Sequence, residues 1–445
     1  MTRGAPLLGI ETHQVYDVDT PGVTAAKYLT QDIPSYRGNP WLEALPPILS
    51  KNQWFAALRR KPTWDADVRH LDGHLRLHAL NAIDEWFEPS GQTVSLAQAF
   101  DRVLRAGLAR RSPLHPEHYW LLRRMSRAPV GSSLNIALAA RRPARVCGLV
   151  LLGASGMGKS TALIDRVLAT FPRVIQHTAY QGRDIPHRQL VHLTVEARSS
   201  HSLKTLCLDC ITSVDALLGT NYARMLGIRT ATGPGLMGHM RTIAALHGLG
   251  ALIIDEFQQL ARAKQAASEE CISQLLSLSN VVGVPVIMVG TPKATDIVSA
   301  EARLANRTTL GGTHEWDPFA FDEDWRKWTG LLFEYQVLKK PTAHTVDLSR
   351  ALHGASKGIV GVATAIFQLA QIIAITSRDE RLTTDLLAKR ALAEVGQMRH
   401  ILADLGLNRI EQSLLDEHRV RRLRDVSTLR APDQPKSNPP RTENH

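Results

Sequence analysis

The chain changes texture three times, and the changes predict its elements. Residues 1–115 hold short amphipathic segments at 54–60, 71–87 and 96–109, separated by loops punctuated by Pro34, Pro40, Pro46, Pro47 and Pro62. That pattern predicts a small, mostly helical N-terminal domain over 1–115, with a boundary marked by Pro113 and Pro116. From 146 the pattern differs. The unbroken apolar runs 146–152, 251–254 and 284–289 have the length of strands buried on both faces, and 189–195 alternates in part. Helical spacing fills the intervals at 159–171, 202–218 and 237–246. Strands alternating with helices predict an α/β core over 116–320, a parallel sheet with helices on both faces.

After residue 320 the spacing is helical throughout, at 322–337, 346–352, 357–375 and 383–395, which predicts a helical subdomain over 321–400. Within it, residues 358–375 (GIVGVATAIFQLAQIIAI) carry no charge and match a short membrane span in length. Gln368 and Gln371 sit in the second half of this run, so a helix buried in a soluble protein is the expectation, with no membrane partner. Residues 401–445 predict a basic and disordered tail. Arg419, Arg421, Arg422 and Arg424 cluster there, and the last fifteen residues hold four prolines and almost nothing apolar.

Composition narrows the class. An apolar fraction of 44% supports a sizeable core and excludes a mostly disordered chain. Four cysteines in 445 residues make no disulfide framework, so a reducing compartment is expected. Cys207 and Cys210 lie in a helical pattern with Leu203, Leu206 and Leu208, which predicts core thiols, not metal ligands. Trp316, Trp325 and Trp328 are expected in the core between sheet and helical subdomain. Lys and Arg number 53 against 42 Asp and Glu, a net charge of +11, which points to an anionic partner.

The chemistry concentrates after the first strand. Gly153-Ala154-Ser155-Gly156-Met157-Gly158-Lys159-Ser160 fits G-x-x-x-x-G-K-[ST], followed by Thr161. Glycines there let backbone N–H groups turn toward phosphate oxygens. Lys159 then serves as a point charge for the β- and γ-phosphates, and the Ser160 hydroxyl as a Mg²⁺ ligand. The strand before and the helix after complete the context, with the helix dipole adding to it. A second apolar strand ends in Asp255-Glu256. Asp255 is the expected partner of Mg²⁺, and Glu256 the group that polarises the attacking water. The acidic pair favours ATP hydrolysis over a GTP switch, in which a glutamine usually orients water. Thr291, at the end of the 284–289 run, is the candidate sensor between the carboxylates and the γ-phosphate. Arg303 and Arg307 compete for the role of an arginine acting on a neighbouring subunit. Lys357, at the start of the long apolar helix, is a further candidate γ-phosphate contact.

These residues resemble an AAA+ P-loop NTPase and, more narrowly, the TnsC/TniB family of transposition regulators. The likeness covers roughly residues 30–380. It includes Tyr36-Arg37-Gly38-Asn39-Pro40 followed by Glu43-Ala44-Leu45-Pro46-Pro47, and Phe171-Pro172, His177, Tyr180 and Gln189-Leu190-Val191. Val214-Asp215, Leu218-Gly219-Thr220-Asn221-Tyr222 and Lys357-Gly358-Ile359 complete it. The coverage is closer to the longer TnsC-type proteins. The resemblance implies an ATP- and Mg²⁺-dependent ATPase with a helical lid. It also implies assembly as a homo-oligomer, a ring or helical filament, on double-stranded DNA. Transposase subunits and a target-selector protein of the TniQ/TnsD kind would be its partners, in a bacterial, cytoplasmic, DNA-associated setting. Arg198 and Lys204, after the second strand, are positional candidates for DNA contact. Two other assignments fit the same motifs: another AAA+ remodeller, such as a helicase loader, and a nucleotide-gated scaffold in which slow hydrolysis is only a timer.

Overall fold

The apolar runs become the middle of a parallel sheet. The computed structural model describes residues 22–116, 148–198, 202–226, 232–262, 271–275, 278–292 and 311–390. Strands among them are β1 (Val23–Ala25), β2 (Leu149–Gly153), β3 (Val174–Tyr180), β4 (Arg183–Leu190), β5 (His192–Glu196), β6 (Ala251–Asp255), β7 (Val286–Gly290) and β8 (Thr313–Trp316). Five of them form one sheet in the order β5-β6-β7-β2-β8, every neighbouring pair parallel. β2 and β7 are buried along their whole length, as continuous apolar runs require. The other three strands form a separate sheet in the order β1-β3-β4, in which β3 and β4 make an antiparallel hairpin.

Alternate residues of the central strands feed two cores. On one face, Val150, Leu152, Leu252, Ile254, Val286 and Met288 join two helices, α5 (Leu203–Leu218) and α6 (Gly233–Leu246). On the other, Leu149, Leu151, Ala251, Ile253, Ile287 and Val289 share a cluster with residues from both ends of the chain. The N-terminal contributors to that cluster come from α1 (Pro40–Glu43), α2 (Lys51–Leu58), α3 (Gly73–Ala79) and α4 (Gly91–Ala109). The later ones come from α7 (Glu323–Leu332), α8 (Val346–Ser356) and α9 (Val360–Thr376). Thus the expected parallel sheet with helices on both faces is observed. Residues 22–116 add their side chains to the same core as the sheet and lid. Gly107 of α4 shows how close the approach is: a Cβ there would lie 2.7 Å from Pro285.

One expectation needs correction. The run 189–195 is not one strand. The chain leaves the hairpin at Leu190 and enters the main sheet at His192, with Val191 between. The amphipathic segment 71–87 folds as α3 followed by the 3-10 turn Leu80–Glu85. The uncharged run becomes α9, in which Gln371 is fully buried and accepts from Val337 N–H at 2.8 Å. Among the described residues no single helix is long and apolar enough to cross a membrane, and the α8–α9 pair bends by 117°. The basic cluster at 419–424 and the proline-rich end lie outside the described residues.

Candidate nucleotide-binding site

Because the five strands are parallel, their carboxyl ends share one edge, and the loops that follow them meet there. A cleft of about 590 Å³ opens at this edge. Its floor is the turn after β2: Ser155, Gly156, Met157, Gly158, Lys159, Ser160 and Thr161 all line it. Gly156 and Gly158 have φ of +80° and +77°, left-handed values that only glycine adopts without strain. Gly153 and Ala154 lie beneath this surface and do not line the cleft. Their carbonyls accept from the Lys159 amine at 2.7 and 2.8 Å. Lys159 is 8% exposed, and burial lowers its pKa to about 8 against the opposing pull of Glu256 and Asp255.

The expected partners converge from neighbouring strands. Asp255 and Glu256 leave the end of β6, and Thr291 follows β7; all three line the same cleft. Asp255 Oδ1 accepts the Glu256 N–H at 2.9 Å. Glu256 sits at φ +52°, a conformation rarely adopted by a residue with a Cβ. The Thr291 hydroxyl is buried and meets no hydrogen-bond partner among the described residues, and Thr291 lines the cleft. The loop glycines, the buried amine and the paired carboxylates suit a nucleotide phosphate chain with a Mg²⁺ ion. Ser160 and Asp255 are the residues that would hold the metal.

Sequence reasoning missed the far wall. Ile83, Asp84, Trp86, Phe87, Ser90 and Thr93 bring the N-terminal segment onto the cleft. Trp86 packs against Trp328 of α7 with ring centroids 5.3 Å apart. Gln368 of α9 donates to Asp84 at 2.8 Å. The lid also touches the phosphate loop directly, because Gly361 N–H donates to the Gly156 carbonyl at 2.9 Å. A Cβ at Gly361 would stand 2.7 Å from that oxygen, so only glycine allows the contact. Any apparent signal in the sequence was weak, a lone glycine in the first turn of an apolar helix.

Other expected residues fall elsewhere. Lys357 does not open α9. It closes α8 in a left-handed conformation (φ +55°), is exposed, and is not part of the cleft. Arg303 and Arg307 lie outside the described residues. Arg198 is exposed just beyond β5, and Lys204 is half-buried in the first turn of α5. Cys207 and Cys210 are core residues of α5; burial pushes the Cys207 thiol up to about 12 and the Cys210 thiol well above its usual range. Trp316, Trp325 and Trp328 are all buried in the core shared by sheet and lid.

This parallel five-stranded sheet with flanking helices has the fold of a P-loop AAA+ domain, with further helical regions beside it. Residues 147–298, about a third of the chain, match the model of a family described as AAA domain. No curated protein matches the chain in sequence. Among solved structures, the chain is similar to the ORC1 protein of Aeropyrum pernix in complex with DNA. The identity is 16%, 63% of this chain and 66% of that one are covered, and the TM-score is 0.38. It is also similar to the Aeropyrum pernix ORC2 protein (16% identity, 62% and 67% covered, TM-score 0.37). A Walker-type ATPase of Pyrococcus abyssi gives 15% identity, 62% and 74% covered and a TM-score of 0.38. The chain thus spans just under two thirds of the first of these structures.

Proposed function

We propose that the protein is an ATPase that assembles on double-stranded DNA and regulates transposition, linking a target-selector protein to transposase subunits. The observation that carries the ATPase part is the convergence of Lys159, Asp255, Glu256 and Thr291 on one cleft above a glycine loop. In this reading Lys159 leaves the carbonyls of Gly153 and Ala154 for the terminal phosphates. Glu256 orients and polarises the attacking water, and Thr291 senses the γ-phosphate. Ser160 and Asp255 would hold a Mg²⁺ ion, which would supply positive charge against the charge that develops on the phosphates. The far wall around Trp86 and Gln368 leaves room for the base. Supporting the DNA and transposition part are the resemblance to the TnsC/TniB family over residues 30–380 and the net charge of +11. Arg303 or Arg307 would complete the site of a neighbouring subunit in the ring or filament.

The test uses the full chain with duplex DNA. Glu256→Gln is expected to bind ATP, to hydrolyse it at least about a hundredfold more slowly, and to stay on DNA as an oligomer. Lys159→Ala is expected to lose ATP binding and with it ATP-dependent retention on DNA. Wild-type retention by Lys159→Ala would sink the nucleotide switch, and hydrolysis indifferent to DNA would favour a remodeller of protein substrates.

A further inference from the structure

Gln258 lies two residues past the paired carboxylates, in the 3-10 turn Phe257–Arg262, and is only 8% exposed. Its side-chain amide meets two groups at once. Nε2 donates to Glu256 Oε2 at 2.5 Å, and Oε1 accepts from Thr291 N–H at 3.1 Å. A backbone N–H only donates and an ionised carboxylate only accepts, so each partner independently dictates the same orientation of the amide. The paired register of β6 with β7 runs only as far as Ile254 and Met288. Beyond that point the Gln258 amide is a bridge between the two strand ends that bear Glu256 and Thr291. The bond reaches Glu256 at an unusual point of the chain. Its backbone is left-handed at φ +52°, and its carboxylate faces an open cleft.

We propose that Gln258 is a positioning residue for ATP hydrolysis, which locks the Glu256 carboxylate to the end of β7 so that the water-orienting group and Thr291 keep one geometry. This deepens the ATPase reading above and rests on it. The amide acts through Glu256; it need not touch the nucleotide. A purely structural glutamine would serve only the Thr291 N–H, and the two roles separate by substitution. Gln258→Glu keeps an acceptor for Thr291 but sets a carboxylate against that of Glu256. Gln258→Met removes both bonds at similar volume.

In steady-state assays of the full chain, both variants are expected to lower kcat about tenfold while KM for ATP stays within about twofold. Adding Gln258→Met to Glu256→Gln is expected to lower kcat little further, because the residue acts through a group already lost. Wild-type kcat in Gln258→Glu, or a full additional tenfold loss in the double variant, overturns the proposal. Thermal unfolding of Gln258→Met, Glu256→Ala and the pair supplies a readout free of activity. Non-additive shifts in Tm are expected, and strictly additive shifts overturn the link. A wild-type chain without ATPase activity would refute the functional reading, while this cycle would still decide whether Gln258 holds Glu256.

Discussion

Lys159 carries a charge whose presence depends on its surroundings. In the unfolded chain its amine titrates near 10.5; burial brings it to about 8 in the fold. Folding therefore favours the neutral amine. The associated loss of stability is fully present below about pH 8 and disappears as pH rises toward 10.5. Nucleotide phosphates reverse the preference, because they bind the ammonium form. ATP binding is then coupled to proton uptake wherever the unliganded amine is partly neutral. Affinity is expected to be level below about pH 8 and to weaken by up to about tenfold per unit above it. Titrations of a non-hydrolysable analogue at pH 7, 8 and 9, with calorimetry in two buffers of different ionisation enthalpy, measure both effects. Unchanged affinity from pH 7 to 9 would contradict this. The phosphate loop and Asp255-Glu256 were legible in the sequence because their chemistry imposes residue types at fixed spacing. Gln258 and Gln368 were not, since a glutamine in a turn or helix carries no such spacing and its role depends on what the fold places opposite.

At the scale of elements, hydrogen bonds tie the segments around the main sheet together. Residues far apart in the chain interlock. The Glu43 carboxylate accepts from Gly38 N–H and from the Tyr180 hydroxyl, both at 2.8 Å. Asn39 caps α1 and donates to the carbonyls of Leu108 and Arg111. His177 pairs with Gln189, whose amide also reaches the Trp41 carbonyl. Asp215 collects Thr220, Tyr222 and Ala223, which turns the chain after α5. The Glu43–Tyr180 and Gln189–Trp41 bonds clasp the N-terminal segment to the hairpin β3–β4, while those of Asn39 and Asp215 stay within their own segments; none of these residues lines the cleft. Tyr180 is 3% exposed, and burial followed by Glu43 pushes its hydroxyl up to about 12. Tyr180→Phe removes a hydrogen bond to a buried carboxylate and is expected to cost about 2 kcal/mol, read as a lower denaturant midpoint at unchanged slope. Stability within a few tenths of the parent would remove the clasp from the energetics. The hairpin itself escaped sequence reading because β4 runs mostly exposed and polar before its last three residues. β8 escaped it as a four-residue edge strand with only Trp316 buried.

Across the whole molecule, the N-terminal segment and the lid form one cover over the nucleotide edge of the sheet. Arg76 is 2% exposed and pairs with Glu380 at 2.5 Å, while Arg69 donates to the carbonyls of Gln336 and Glu334. Gln368 ties α9 to Asp84, and Gly361 ties it to the phosphate loop. Composition could foretell a core of this size, but not that both ends of the chain would share it. The excess of positive charge, 53 − 42 = +11, remains a property of the whole chain, not of the cleft. If it serves a duplex, binding must release counterions. Retention on DNA with a non-hydrolysable ATP analogue is then expected to fall linearly in log–log form as salt rises. About five phosphates neutralised per protomer correspond to roughly twentyfold weaker binding for each doubling of salt. The decline should be the same for unrelated duplex sequences, because phosphate contacts carry no base information. ATP-analogue affinity measured without DNA should respond far less, since Lys159 and the loop are screened by burial. A flat salt profile for DNA retention would refute the electrostatic argument while leaving the nucleotide site untouched.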